Sequence, residues 1–138
     1  RMSRSQRHKI LANALQDASR EVFLRTFYLD KGGVFLRLVQ EKIEGLCRGY
    51  PFGTWQCVTL SNGGAFVYPV GEPGLAHDVD RRHLAELEPD QLGLVGSLFA
   101  LSELSRMTRN EFYGDQYLLL YHYVNDMNQA ETIMRFLD

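Results

Sequence analysis

The chain has 138 residues, which suits one domain with a sizeable core, and 45% of them are hydrophobic. Fifteen lysines and arginines against seventeen carboxylates leave a formal charge of -2. That balance excludes the basic footprint of a nucleic-acid binder, and it excludes a duplex mimic, which needs about two charges per 3.4 Å.

Residues 1–9 are basic and polar and read as a disordered start. Ile10, Leu11, Ala14, Leu15, Ala18 and Val22 recur at helical spacing, which predicts an amphipathic helix over about residues 6–22. Phe23 to Asp30 leans towards strand without deciding it, and Lys31-Gly32-Gly33 breaks it. Val34, Phe35, Leu38, Val39, Ile43 and Leu46 form the stripe of a second helix, which Pro51 stops.

A hairpin over about residues 54–69 is the strongest local signal. Asn62-Gly63 stands between two β-rich runs, and a type I′ turn needs positive φ at both positions. A two-residue loop sets Leu60 opposite Ala65, Thr59 opposite Phe66, Val58 opposite Val67 and Cys57 opposite Tyr68. Trp55, Cys57, Thr59, Phe66 and Tyr68 then share one face. Both faces carry large or apolar groups. The hairpin is therefore covered on both sides, or it offers one aromatic face to a partner.

Gly71-Glu72-Pro73-Gly74 is a turn cluster. Leu75 to Val79 reads as a third strand, and His83 to Leu87 as a short fourth. Pro89 suits the first position of a helix over about residues 89–107, with Asp90 in its first turn. Leu92, Leu94, Val95, Leu98, Phe99, Leu101, Leu104 and Met107 cover more than half of its circumference, so it is central and largely buried. Gly93 and Gly96 leave room on it for a close neighbour. Tyr113, Tyr117, Leu120, Tyr121 and Val124 mark another helix, and Asn128 with Glu131 suggests a capping box before a last short one. The fold class is α+β: one small antiparallel sheet of three or four strands flanked by four or five helices, in a single domain over 1–138.

The sequence holds no reacting constellation above background. Cys47 and Cys57 lack zinc or redox spacing and read as reduced, buried thiols. His77 and His83, near Asp78 and Asp80, lack the helical pair or nearby cysteine of a metal site. Ser61-Asn62-Gly63-Gly64 lacks the Gly-Lys-Ser/Thr of a phosphate loop and leads into a strand. The Tyr113, Tyr117 and Tyr121 stripe has core spacing on an acidic segment. No catalytic residue, metal or cofactor is therefore assigned. No apolar run reaches the roughly 18 residues of a membrane span, and no signal-peptide core opens the chain. Charge is uneven: residues 1–48 carry ten basic and five acidic side chains, whereas residues 49–138 carry five and twelve.

Tyr50, Gly53, Trp55, Leu60-Ser61-Asn62-Gly63-Gly64, Phe66, Tyr68 and Pro69 stand in an order that resembles the ArdB/KlcA family of antirestriction proteins. Leu87, Gly93, Leu98-Phe99-Ala100-Leu101, Leu104, Tyr121 and the end from Glu131 to Asp138 extend the resemblance over about residues 34–138. The chain departs from the family pattern at Phe52-Gly53-Thr54, at Gln56-Cys57-Val58 and at Asn128-Gln129, which suggests a divergent member. The resemblance implies a non-enzymatic bacterial cytoplasmic protein, carried by a plasmid, phage or genomic island, that relieves type I restriction of incoming DNA. It implies action through a host protein, such as a restriction–modification component, or an indirect effect. It implies no DNA mimicry, nucleic-acid contact or membrane, and it leaves a homodimer open. The candidate interaction surface is Arg48, Tyr50, Trp55, Asn62, Gly63, Gly64, Phe66 and Tyr68. The competing readings are an adaptor of the same fold without antirestriction activity, and a small hydrolase or metal enzyme using Cys57, His77 or His83.

Overall fold

A computed structural model describes residues 9–16, 19–78, 80 and 82–137. The expected disorder of the first eight residues, and the roles read for Ala18, Val79, Arg81 and Asp138, lie outside them.

Within 54–69 the strands are β2 (Trp55–Leu60) and β3 (Ala65–Pro69). Their register differs by one residue from the expected one: Thr59 pairs with Ala65, Val58 with Phe66, Cys57 with Val67, Gln56 with Tyr68 and Trp55 with Pro69. The loop is three residues, Ser61-Asn62-Gly63, closed by the Leu60 N–H donating to Gly64 O at 2.9 Å. Only Gly63 takes a positive φ, +94°, so the turn is the three-residue type with glycine in the left-handed position and not type I′. Side chains alternate with a period of two, so this slip moves all of β3 to the other face relative to β2. Trp55, Cys57, Ala65 and Val67 lie on one side; Val58, Leu60, Phe66 and Tyr68 lie on the other.

The predicted helix over 6–22 is corrected. Ala12–Ala14 is β1, antiparallel to β2 with Asn13 opposite Thr59. β2 decides this, because its outer edge needs partners. Leu15 N–H donates to Cys57 O at 3.0 Å, Ser61 N–H to Leu11 O at 2.8 Å, and Leu11 N–H to Ser61 Oγ at 2.8 Å. The first helix, α1 (Arg20–Tyr28), starts where the Ser19 side chain accepts from Val22 N–H. It runs through the segment read as strand-leaning. Phe23, Leu24, Phe27 and Tyr28 are a helical stripe that the β propensity of phenylalanine, threonine and tyrosine conceals. A single 3-10 turn, Leu29–Lys31, leads directly into α2 (Gly32–Leu46), so Gly32 and Gly33 open the second helix and do not break the chain.

β4 (Gly74–His77) and β5 (Leu84–Leu87) pair only with each other among the described residues. The five strands are thus shared between a three-stranded sheet, β1-β2-β3, and a two-stranded ribbon, β4-β5. The α+β class stands. Pro89 opens α3 (Pro89–Thr108), and a capping box between Glu88 and Gln91 closes its first turn. α4 (Glu111–Asn125) begins at Asn110, whose Oδ1 accepts from Phe112 N–H at 3.0 Å. α5 (Ala130–Arg135) has Gln129 at its cap with no side-chain bond, so the capping box read at Asn128 does not form.

α3 is the centre of the molecule, packed on α2, α4 and β3. Its two glycines serve two neighbours. A Cβ on Gly93 would overlap Tyr68 Cβ and the Val67 carbonyl, and one on Gly96 would stand 2.7 Å from Val39 Cγ1 of α2. Next to Gly96, Ser97 closes the open edge of the sheet. Its Oγ accepts from Val67 N–H at 3.2 Å and donates to Val67 O at 3.3 Å. An edge strand's unpaired groups are thereby covered by a helix.

Candidate interaction surface

The hairpin tip is tied to α4. Asn62 Oδ1 accepts from Gly64 N–H at 2.9 Å, and its Nδ2 donates to Leu119 O at 2.9 Å. Gly64 is buried beneath Leu119 and Leu60, which would lie 3.1 and 3.2 Å from an added Cβ. The Asn-Gly-Gly run therefore holds a loop against a helix. Of this tip Ser61 and Gly63 are exposed, while Asn62 is half-buried.

The aromatic residues of the candidate surface fall into two groups. Phe66 is buried and stacks on Tyr123 of α4 with centroids 6.0 Å apart, and Tyr68 lies 6.2 Å from Phe66 on the same face. Trp55 stands on the opposite face and meets Phe52 at 5.8 Å, and Phe52 meets Tyr50 edge-on at 5.2 Å. Tyr50 is buried, with its hydroxyl donating to Glu72 O at 2.7 Å. Burial holds its pKa above the ordinary phenol value, helped by the neighbouring Cys47 thiol and Glu72. The single aromatic face expected from the two-residue loop thus does not exist, because the register slip separates Trp55 from Phe66 and Tyr68. Tyr50, Gly64 and Phe66 have no contact area to offer; Arg48 and Gly63 are exposed, and Trp55, Asn62 and Tyr68 are half-buried. Phe52, Tyr123 and Leu119, none of them in the candidate surface read from the sequence, organise this region. Contacts between elements so far apart in the chain carry no local pattern.

The remaining polar candidates serve the fold. Cys47 and Cys57 are free and buried. Burial pushes both thiols above their ordinary range, with Arg20 partly opposing this at Cys57. A thiol held protonated is a poor nucleophile. Cys57 sits in β2 opposite Val67, whereas His77 ends β4 and donates from Nδ1 to Leu46 O of α2 at 2.7 Å. His83 is exposed in the β4–β5 turn. Asp78 Oδ1 accepts from Arg82 and His83 N–H at 2.9 and 3.3 Å and shapes that turn. Among the described residues no group of three or more His, Cys, Asp or Glu could hold a metal ion, and no helix is long and apolar enough to cross a membrane. Tyr113 is buried, donating to Tyr28 O at 2.9 Å, and Tyr117 stacks on Tyr121 at 6.3 Å as half-buried helix packing. The buried Tyr28 ring stacks on Phe35 at 3.6 Å, and its hydroxyl has no hydrogen-bond partner among the described residues.

These features define a small α+β scaffold in which a buried central helix backs a hairpin covered on both faces. The model of the antirestriction protein family matches residues 48–138. The chain is 31% identical to an antirestriction protein KlcA of Escherichia coli, over 94% of each. It is 28% identical to another E. coli antirestriction protein KlcA, over 97% of this chain and 99% of that one. The chain superposes on a solved structure with a TM-score of 0.83 and 25% identity, covering 96% of this chain and 98% of the other. That work describes KlcA and ArdB as a novel fold with antirestriction activity against type I DNA restriction systems in vivo but not in vitro. The chain belongs to the antirestriction protein family.

Proposed function

We propose that this chain relieves host type I restriction of incoming DNA, acting in the bacterial cytoplasm from a mobile element or genomic island. It does so by contact with a host protein or by an indirect effect, and it neither transforms a substrate nor imitates DNA. The observation that carries this reading is the end-to-end match to antirestriction relatives in sequence and fold. Charge supports it further: -2 over the chain cannot reproduce the field of a duplex. The protonated thiols and the engaged His77 and Asp78 support a non-catalytic role.

The test is the plating efficiency of unmodified phage on a host with a type I system, with and without the gene. Restored plating is the expected outcome. Equal plating at matched protein levels overturns the reading and leaves an adaptor of the same fold. Purified chain added to a purified type I nuclease is expected to leave cleavage unchanged, as described for the relatives.

A further inference from the structure

The β4–β5 ribbon has an outward face that nothing in the fold covers. Leu75 stands opposite Glu86 and His77 opposite Leu84, so these four side chains share one side. The other side, with Gly74, Ala76 and Leu87, is buried. Leu75 and Leu84 are 64% and 66% exposed, and they are diagonal neighbours across the ribbon. Single exposed leucines are ordinary; two adjacent ones on a hydrogen-bonded ribbon are a patch.

The face runs into a cleft of about 400 Å³ whose walls include Glu41, Lys42, Leu46, His77, Asp78 and Phe99. Two features of the cleft favour a cation, the end of α2 and the Glu41 carboxylate. Leu46 closes α2, whose C-terminal end carries partial negative charge. His77 donates from Nδ1 to Leu46 O, which holds its ring against the end of α2. The Phe99 ring is already covered by the Lys42 ammonium, 5.2 Å from its centroid, and offers a further cation no free face. The surroundings are negative too, since residues 71–90 hold six carboxylates and two arginines. A second copy of this face, a nucleic acid or an anionic membrane would be repelled.

We propose that the outer face of β4–β5 and the adjoining cleft dock an extended basic segment of a partner protein. In that segment apolar side chains at alternate positions face the ribbon, and a lysine or arginine follows them at one end. The apolar positions cover Leu75 and Leu84, and a cationic head enters the cleft beside Glu41 and His77. Among the described residues neither strand pairs with a third, which suits a partner in the extended state. The proposal goes beyond the antirestriction reading and does not depend on it.

The probe is a short, end-blocked peptide of alternating lysine and valine with a further lysine at each end, titrated into the isotope-labelled full chain and followed by NMR. Shifts are expected on the amides of residues 74–77 and 84–87, with weaker binding as salt rises. The double substitution Leu75→Ser with Leu84→Ser removes only exposed side chains, and it is expected to weaken binding about tenfold. Glu86→Lys keeps the leucines and is expected to weaken binding as well. A glutamate–valine peptide is expected to produce no shifts. The proposal is overturned by an absence of shifts with the lysine peptide. Shifts scattered over the acidic helices and insensitive to the double substitution also overturn it. So does a concentration-dependent shift of the ribbon without peptide, which would mean self-association.

Discussion

The β2–β3 hairpin and the β4–β5 ribbon are both antiparallel pairs, yet they end in opposite situations. The hairpin has β1 on one edge, Ser97 of α3 on the other, and buried residues on both faces. The ribbon has one buried face and one that holds two leucines in water. The hairpin also carries the most recognisable sequence in the chain. The contrast shows that a family-specific motif can be spent on folding, while free surface lies in a less distinctive stretch.

Four variants and one control sharpen or break that contrast. Phe66→Ala has the largest expected effect, a loss of about 3–5 kcal/mol in chemical denaturation, because it empties a packed site against Tyr123. A cost below about 1 kcal/mol would place Phe66 outside the core and revive the aromatic-surface reading. Gly93→Ala comes next. Helix propensity alone predicts a gain of about 1 kcal/mol, but the added Cβ meets the β3 backbone. A net loss of about 1–3 kcal/mol is expected. Gly45→Ala on α2, with nothing within 4 Å of the added Cβ, is its stabilising control. Ser97→Ala removes the one side chain that bonds both Val67 N–H and Val67 C=O at the buried edge and is expected to cost about 1–3 kcal/mol. Faster hydrogen exchange at Val67 would accompany it. The paired serine substitutions at Leu75 and Leu84 have the smallest expected effect, within about 0.5 kcal/mol of the parent. A large loss there would show that the ribbon face is structural and would erase the contrast.

The candidate surface was readable only in part. Asn62, Gly63 and Gly64 were visible as a turn, and the reason they matter, the bond from Asn62 to Leu119, spans 57 positions. Trp55, Phe66 and Tyr68 were visible as aromatic strand residues, but their grouping depended on the register. The ribbon strands were recognised, whereas the exposure of Leu75 and Leu84 could not be, since a leucine in a short strand carries no mark of which side faces water.

Sequence alone settled what repeats locally: the buried pattern and proline start of α3, the presence of a hairpin, the α+β class and the family. Tertiary structure decided the pairing of β1 with β2, the split into sheet and ribbon, and the register of the hairpin. Two- and three-residue loops are both open to Ser-Asn-Gly-Gly, and they differ by one step of a pattern whose period is two. The observed choice is held by α3 and α4, where Ser97 binds Val67 of β3, Leu119 binds Asn62 of the loop, and Phe66 is buried against Tyr123.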